Sequence, residues 1–283
     1  MRAPYYEWAV VSSGVAIVSS TTGELWFHEI GECPEISPFS NQMTGDGSPT
    51  TTALLLNGAV ALGFGKDGCE LQESAATLPK FVFNLVGAYH NSRRTPGHFR
   101  RAAQRLREIG RPDIAAYLEK HAQEETGHDR LVLKDLRALG LPAERIVENL
   151  VPDGVRPLND LFDRLSSADY PVGCIGYSYC FESTAALKQK ADVDAMQALC
   201  PDGIDATRFM RTHSGMGSEV DHVEDMIDFI ATLPAADRIE IVKATYETAV
   251  LIADCLRREG HMPDAEIVAQ IQAAAGEEVR LPA

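Results

Sequence analysis

Histidines and carboxylates recur in this chain where amphipathic helices should present apolar side chains. In an α-helix, positions i, i+3, i+4 and i+7 share a face. Across residues 112–139 one such row is Ile114, Leu118, His121, Glu125, His128, Val132 and Leu136. Its ends are apolar and its middle is His-Glu-His. Glu124 lies roughly 60° from His121, at about 100° per residue, and reads as a solvated or supporting group. Across 171–190 the row is Ile175, Tyr179, Glu182 and Ala186, and Glu182 is the lone charge between Val172 and Leu187. Across 204–232 the row is Glu219, His222, Met226, Phe229 and Leu233, with His213 just upstream.

An isolated carboxylate on an inner helix face must be paired, protonated or bound to a metal. Three helices that each place such groups inward point to one shared site. Mixed imidazole and carboxylate donors suit iron, manganese or zinc, whereas calcium takes oxygen alone. Taken singly, each residue has a plainer reading. A buried histidine is ordinarily a hydrogen-bonded core residue, and Glu182 could simply accept from a Ser or Tyr. The metal reading rests on the coincidence of all three rows.

His213 sits about 240° from Glu219 on a straight helix and so misses the row. Ser214-Gly-Met-Gly-Ser218 lies between them. Two glycines make a bulge or break inexpensive, and looping out two residues would turn His213-x5-Glu219-x2-His222 into H-x3-E-x2-H. His90 follows Phe83 and Val86 on a helix at 79–92 and is a further inward candidate. His28, His98 and His261 have no supporting pattern and read as surface or loop residues.

The elements that must position these side chains fall into two parts. Residues 1–66 form a small β-containing N-terminal region with strands at 6–11, 14–19 and 24–29, rich in Val, Ile, Trp and Phe. A loop at 33–50 and an apolar stretch from Ala53 to Leu62 follow. The region carries no evident chemistry and reads as a packing or dimerisation appendage, or as a flap. Gly63-Phe-Gly65-Lys-Asp-Gly68 matches a dinucleotide-loop spacing, but no βαβ unit surrounds it, so the match reads as coincidental. Residues 67–283 read as an all-α bundle, with helices at 79–92, 97–109, 112–139, 143–149, 157–166, 171–190, 204–232 and 235–259. Gly110, Gly140 and Gly260 punctuate their ends. The fold class is mainly α with a small β appendage.

The chain has 283 residues, and its net charge of −15 argues against a nucleic-acid surface. No apolar run reaches membrane-spanning length, and MRAPYYEW has no signal-peptide pattern, so a cytoplasmic protein is expected. The six cysteines (Cys33, Cys69, Cys174, Cys180, Cys200 and Cys255) form no CxxC pair and are expected to be reduced.

Three segments together resemble the haem-oxygenase-like non-haem di-iron oxidases and oxygenases, relatives of the TenA and PqqC families. These are Tyr117-Leu-Glu-Lys-His121-Ala-Gln-Glu-Glu125-Thr-Gly-His128-Asp with Asp135-Leu-Arg-Ala-Leu-Gly140, then Gly176-Tyr-Ser-Tyr-Cys-Phe-Glu182, then His213…Glu219-x2-His222. The resemblance covers about residues 70–260. It implies a haem-oxygenase-like bundle and an iron site drawn from His90, His121, Glu125, His128, Glu182, His213, Glu219 and His222. It further implies two Fe(II) per chain, O2 as co-substrate and Glu125 and Glu182 as shifting catalytic carboxylates. The substrate would be a small amino acid, amine or fatty acid, and the protein a homodimer. Tyr177, Tyr179 and Phe181 would line the site or simply pack the core, and Arg93, Arg94 or Lys188 would meet a substrate carboxylate. Two departures stand out. Glu219 replaces the family's Asp, and no inward Glu precedes residue 112, which leaves His90 as the nearest substitute. A one-iron or mixed-metal variant stays open. The alternatives are a metal-free TenA- or PqqC-like acid–base enzyme and a non-catalytic assembly protein.

Overall fold

Three short strands pair in sequence order, and the elements that follow among the described residues are helices. The structure is a computed structural model that describes residues 5–12, 14–31, 37–39, 41–65, 76–216 and 219–276, with the backbone alone at Glu219 and Val220. Strands β1 (Tyr6–Ser12), β2 (Val15–Ser20) and β3 (Leu25–Glu29) form an antiparallel sheet with Trp8 opposite Val18 and Val18 opposite Trp26. Helix α1 (Pro49–Phe64) starts on a capping box between Ser48 and Thr51, with Pro49 in its first turn. It therefore begins inside the stretch read as loop.

The bundle comprises α2 (Leu78–Glu108), α3 (Pro112–Glu124), α4 (His128–Ala138), α5 (Ala143–Asn149), α6 (Val155–Ser166) and α7 (Gly173–Ala186). It continues with α8 (Lys190–Gln197), α9 (Arg208–Thr212), α10 (Glu219–Ala231), α11 (Ala235–His261) and α12 (Asp264–Ala275). Several boundaries depart from the sequence reading. Helix α2 runs unbroken through Pro96, where a break was expected. A proline removes one helical hydrogen bond, but Val86, Phe99, Ala102 and Leu106 are buried along both halves and hold it straight enough to continue. Helices α8 and α12 were not anticipated. The expected helices 112–139 and 204–232 are each split in two.

The split between α3 and α4 coincides with a change of core. Ile114, Leu118 and Ala122 belong to one hydrophobic core, shared with Ile175, Met226, Ile230 and Ile241. Val132 and Leu136 belong to another, shared with Phe83, Val86, Ile146, Ile267 and Ile271. Gly127, at φ +99°, takes the left-handed conformation that lets the chain change direction between the two cores. The His-Glu-His cluster falls at that junction.

The N-terminal sheet is bound to the bundle through the first core, which includes Ala9, Ile17, Leu55 and Leu56. A buried ion pair fastens it. Arg238 of α11 is 1% exposed and donates to Glu7 of β1, to the Leu233 carbonyl and to the Gly45 carbonyl. The dinucleotide-like glycines have structural uses. At Gly63 a Cβ would stand 2.5 Å from Ala249 Cβ, so that residue lets α1 lie close on α11, and Gly65 ends α1 at φ +104°. Gly68 lies outside the described residues.

Candidate metal centre

Two adjoining groups of ligand-type side chains meet where α3, α4, α7, α9 and α10 converge. The first is Glu125, His128 and His213, each contributing one ligand atom, with all three atoms within 4.8 Å of one another. Glu125 ends α3 and His128 opens α4, so the turn at Gly127 faces them toward each other with Glu125 Oε2 at 3.1 Å from His128 Nδ1. His213 caps the C-terminus of α9, and its ring lies edge-on to His128 at 4.7 Å between centroids. Burial pushes the Glu125 carboxyl up. The His128 hydrogen bond and the nearby His213 and His121 charges outweigh that, and the net shift is downward.

The second group is His121, Glu182 and His222. Glu182 is 6% exposed on α7, and Ser178, one turn earlier, donates to its Oε1 at 2.8 Å. His121 Nδ1 lies 3.9 Å from the same oxygen, and His222 Nδ1 of α10 lies 3.7 Å from Oε2. His121 also stands 3.5 Å from Glu124, so Glu124 supports the group from its edge. Burial lowers the His121 pKa to about 4 against the pull of Glu124, so this imidazole is neutral near pH 7 and able to donate a lone pair. Its Nε2 is buried with no hydrogen-bond partner among the described residues.

His213 does not sit on a bulged helix. The chain leaves α9 at Thr212 and re-enters a helix at Glu219. The intervening loop docks on the end of α7, with Gly215 N–H donating to the Lys188 carbonyl at 2.9 Å. The Glu219 side chain and Gly217 lie outside the described residues.

His90 is not brought to the centre by any observed contact. Its Nε2 stands 2.7 Å from the Leu150 carbonyl, and its ring meets Tyr89 edge-on in the second core. His98, read as a surface residue, is instead buried at 5% exposure, with Nδ1 2.9 Å from Ser166 Oγ and its ring against Phe162. A continuous helix through Pro96 turns it inward. His28 is half-buried against Phe39, and His261 is exposed at the end of α11. Tyr177 stacks on Phe162 at 4.0 Å and Tyr179 donates to Asn57, so both are core residues.

The aromatic at the site is one that the sequence reading missed, Tyr117. It lies one turn before His121, with ring centroids 4.5 Å apart, and stacks on Phe229 of α10 at 3.9 Å and 7°. Burial, then the Glu182, Asp225 and Glu124 charges, push its phenol far up, so it stays protonated. Its position four residues before His121 was the available signal.

No protein-family model and no curated protein matches the sequence. Solved structures do. A domain of unknown function with a haem oxygenase-like fold from Shewanella denitrificans superposes with a TM-score of 0.56 at 17% identity, over 81% of this chain and 95% of that one. The fold is haem oxygenase-like. A CADD-like protein of unknown function from Nostoc punctiforme gives a TM-score of 0.51 at 17% identity, over 82% of this chain and 95% of that one. A TenA homologue from Pseudomonas syringae gives 0.53 at 13% identity, over 77% of this chain and 100% of that one. Within this haem oxygenase-like bundle, no helix among the described residues is long and apolar enough to cross a membrane. The described cysteines, Cys174, Cys180, Cys200 and Cys255, are unbridged, and Cys33 and Cys69 lie outside the described residues.

Proposed function

We propose that this chain is an O2-dependent non-haem iron oxidase or oxygenase acting on a small organic substrate such as an amino acid, amine or fatty acid. The observation that carries the reading is the pairing of the two His/carboxylate groups across one helix junction. The donors fit such a metal. Ligand atoms roughly 2.0–2.3 Å from one ion lie no more than about 4.6 Å apart, close to the 4.8 Å limit met by Glu125, His128 and His213. The Nε2 of His121, buried and without a hydrogen-bond partner among the described residues, is a further donor atom.

Glu125, His128 and His213 would hold one Fe(II); His121, Glu182 and His222, which approach one another through Glu182 but do not all come within that limit, would be the ligands of a second. Bound Fe(II) supplies electrons to O2 and a coordination position for it. The protein supplies the rest. Ser178 fixes one oxygen of Glu182 and leaves the other turned to His222. The Tyr117–Phe229 stack and Phe99, 6.0 Å from the His121 ring, give the His121 side of the site apolar walls. Neutral His121 presents a ligand lone pair with no proton to displace.

A metal-free, TenA-like acid–base enzyme is the second reading. The Glu125–His128 hydrogen bond favours it, since a carboxylate-oriented imidazole can move a proton. Oxygen uptake separates the two. Protein loaded with Fe(II) without air should consume O2 in proportion to its iron, and His213→Ala and Glu182→Gln should each lower the uptake. A protein that retains no Fe(II) after desalting, and consumes no O2, sinks the first reading in favour of the second.

A further inference from the structure

Helix α9 is a single turn of five residues with none of its side chains fully buried. A helix so short has no stability of its own, yet it delivers His213. It is held from α4. Asp135, wholly buried, accepts the Phe209 backbone N–H at 2.8 Å on one oxygen and Arg208 Nη1 at 3.0 Å on the other. The same Phe209 receives, at its carbonyl, the His213 N–H at 3.0 Å, and its ring lies 4.6 Å from the His213 ring. A single residue therefore links the Asp135 carboxylate to the His213 backbone.

Asp135 stands seven residues after His128, two turns along one face of α4. That helix thus presents His128 to the His213 ring at one end and Asp135 to the α9 backbone two turns further on. Burial raises the Asp135 carboxyl, with the Phe209 N–H and Arg208 acting against it. A leucine would fill this place without that desolvation penalty. Packing therefore does not account for a carboxylate here, whereas the hold on α9 does.

We propose that Asp135 is a positioning residue for the Glu125/His128/His213 centre, fixing α9 so that His213 is already aimed at the metal position before any metal arrives. The proposal rests on the metal reading above. It makes the site preformed on the α9 side rather than assembled by the ion.

Asp135→Asn in the full chain keeps the shape, removes the charge and turns an amide donor toward one of two donors. Two measurements test it. Without metal, backbone hydrogen exchange across residues 208–213 should rise at least about tenfold, while α3 and α7 keep their protection. In anaerobic Co(II) titrations followed by visible absorption, the variant should bind at the first centre about 10–100-fold more weakly. Its spectrum should change in intensity as one imidazole is lost, and uptake at His121, Glu182 and His222 should persist. Arg208→Gln, which removes one of the two contacts to Asp135 together with the Arg208 contacts to Asp205 from a partly exposed side chain, is the second variant should Asp135→Asn fail to fold. It should show the same changes at several-fold size. A variant with wild-type Co(II) affinity and spectrum, beside a wild type that binds, overturns the positioning role alone. No Co(II) uptake by the wild type overturns the metal reading and this role with it, even if the exchange at α9 rises.

Discussion

Gly176 lets α7 lie close against α11, and replacing it with alanine puts two opposed effects in competition. Alanine favours a helix interior by about 1 kcal/mol over glycine. Here its Cβ would stand 2.1 Å from the Ile241 carbonyl oxygen and 2.9 Å from the Thr245 nitrogen, both backbone atoms of α11. Ordinary contact needs roughly 3.3 Å or more, so the helices must part by over an ångström. Parting them would stretch the bond from Thr245 Oγ1 to the Gly176 carbonyl, 3.2 Å long. Overpacking of this kind costs about 1–3 kcal/mol, and rigid backbone on both sides places it at or above the top of that range. The net loss is then about 2 kcal/mol or more, a fall in melting temperature of roughly 4–8 °C at 2–4 °C per kcal/mol. Glu182 rides on the same helix six residues on, so the variant should also bind Fe(II) more weakly. Gly97→Ala on α2, where a Cβ meets nothing within 4 Å, is the control and should gain up to about 1 kcal/mol. Thermal melts of both variants decide the matter. A Gly176→Ala protein as stable as the Gly97→Ala control would refute the close helix contact.

Other perturbations have equally definite outcomes. Arg238→Met strands the Glu7 carboxylate in the core and should cost about 3–5 kcal/mol in chemical denaturation; replacing both partners with apolar residues should recover much of it. Gly215→Ala would press a Cβ to 2.6 Å from the Ala186 carbonyl and lift the His213 loop off α7. It should weaken Fe(II) affinity about tenfold, about 1.4 kcal/mol, as read by anaerobic calorimetry. Burial and the Arg101 charge lower the His98 pKa from its ordinary 6.5 against the pull of Asp163, so folding favours the neutral ring. That contribution is complete above pH 6.5 and is lost as pH falls through 6.5 toward the folded value, so stability should decline there. Burial depresses His90 in the same sense, against the Leu150 carbonyl. His98→Gln should flatten the decline in urea melts between pH 7.5 and 5.

How far the architecture was legible depended on which physical signal each residue obeyed. The Val-, Ile-, Trp- and Phe-rich runs of β1 to β3 and the amphipathic rows of α2 and α3 are local signals. Row arithmetic picked out His121, Glu125, His128, Glu182 and His222 as inward-facing because a helix face is also a local property. It could not foresee that α3 and α4 part at Gly127, since which core each half joins is a tertiary property. The same limit hid the burial of His98, which requires knowing that α2 survives Pro96. His90 satisfied the inward pattern yet meets the Leu150 carbonyl, because an inward face can point to either core. The role of Asp135 was illegible for a related reason: its partners, Arg208 and Phe209, are more than seventy residues away.

The most direct test of the account is an anaerobic Fe(II) titration of the purified chain with Mössbauer spectroscopy at each equivalent. Two iron atoms per chain, with distinct quadrupole doublets for the two centres and loss of one in His213→Ala, is the predicted result. No bound iron, or a stoichiometry unchanged when both His213 and Glu182 are removed, would contradict it.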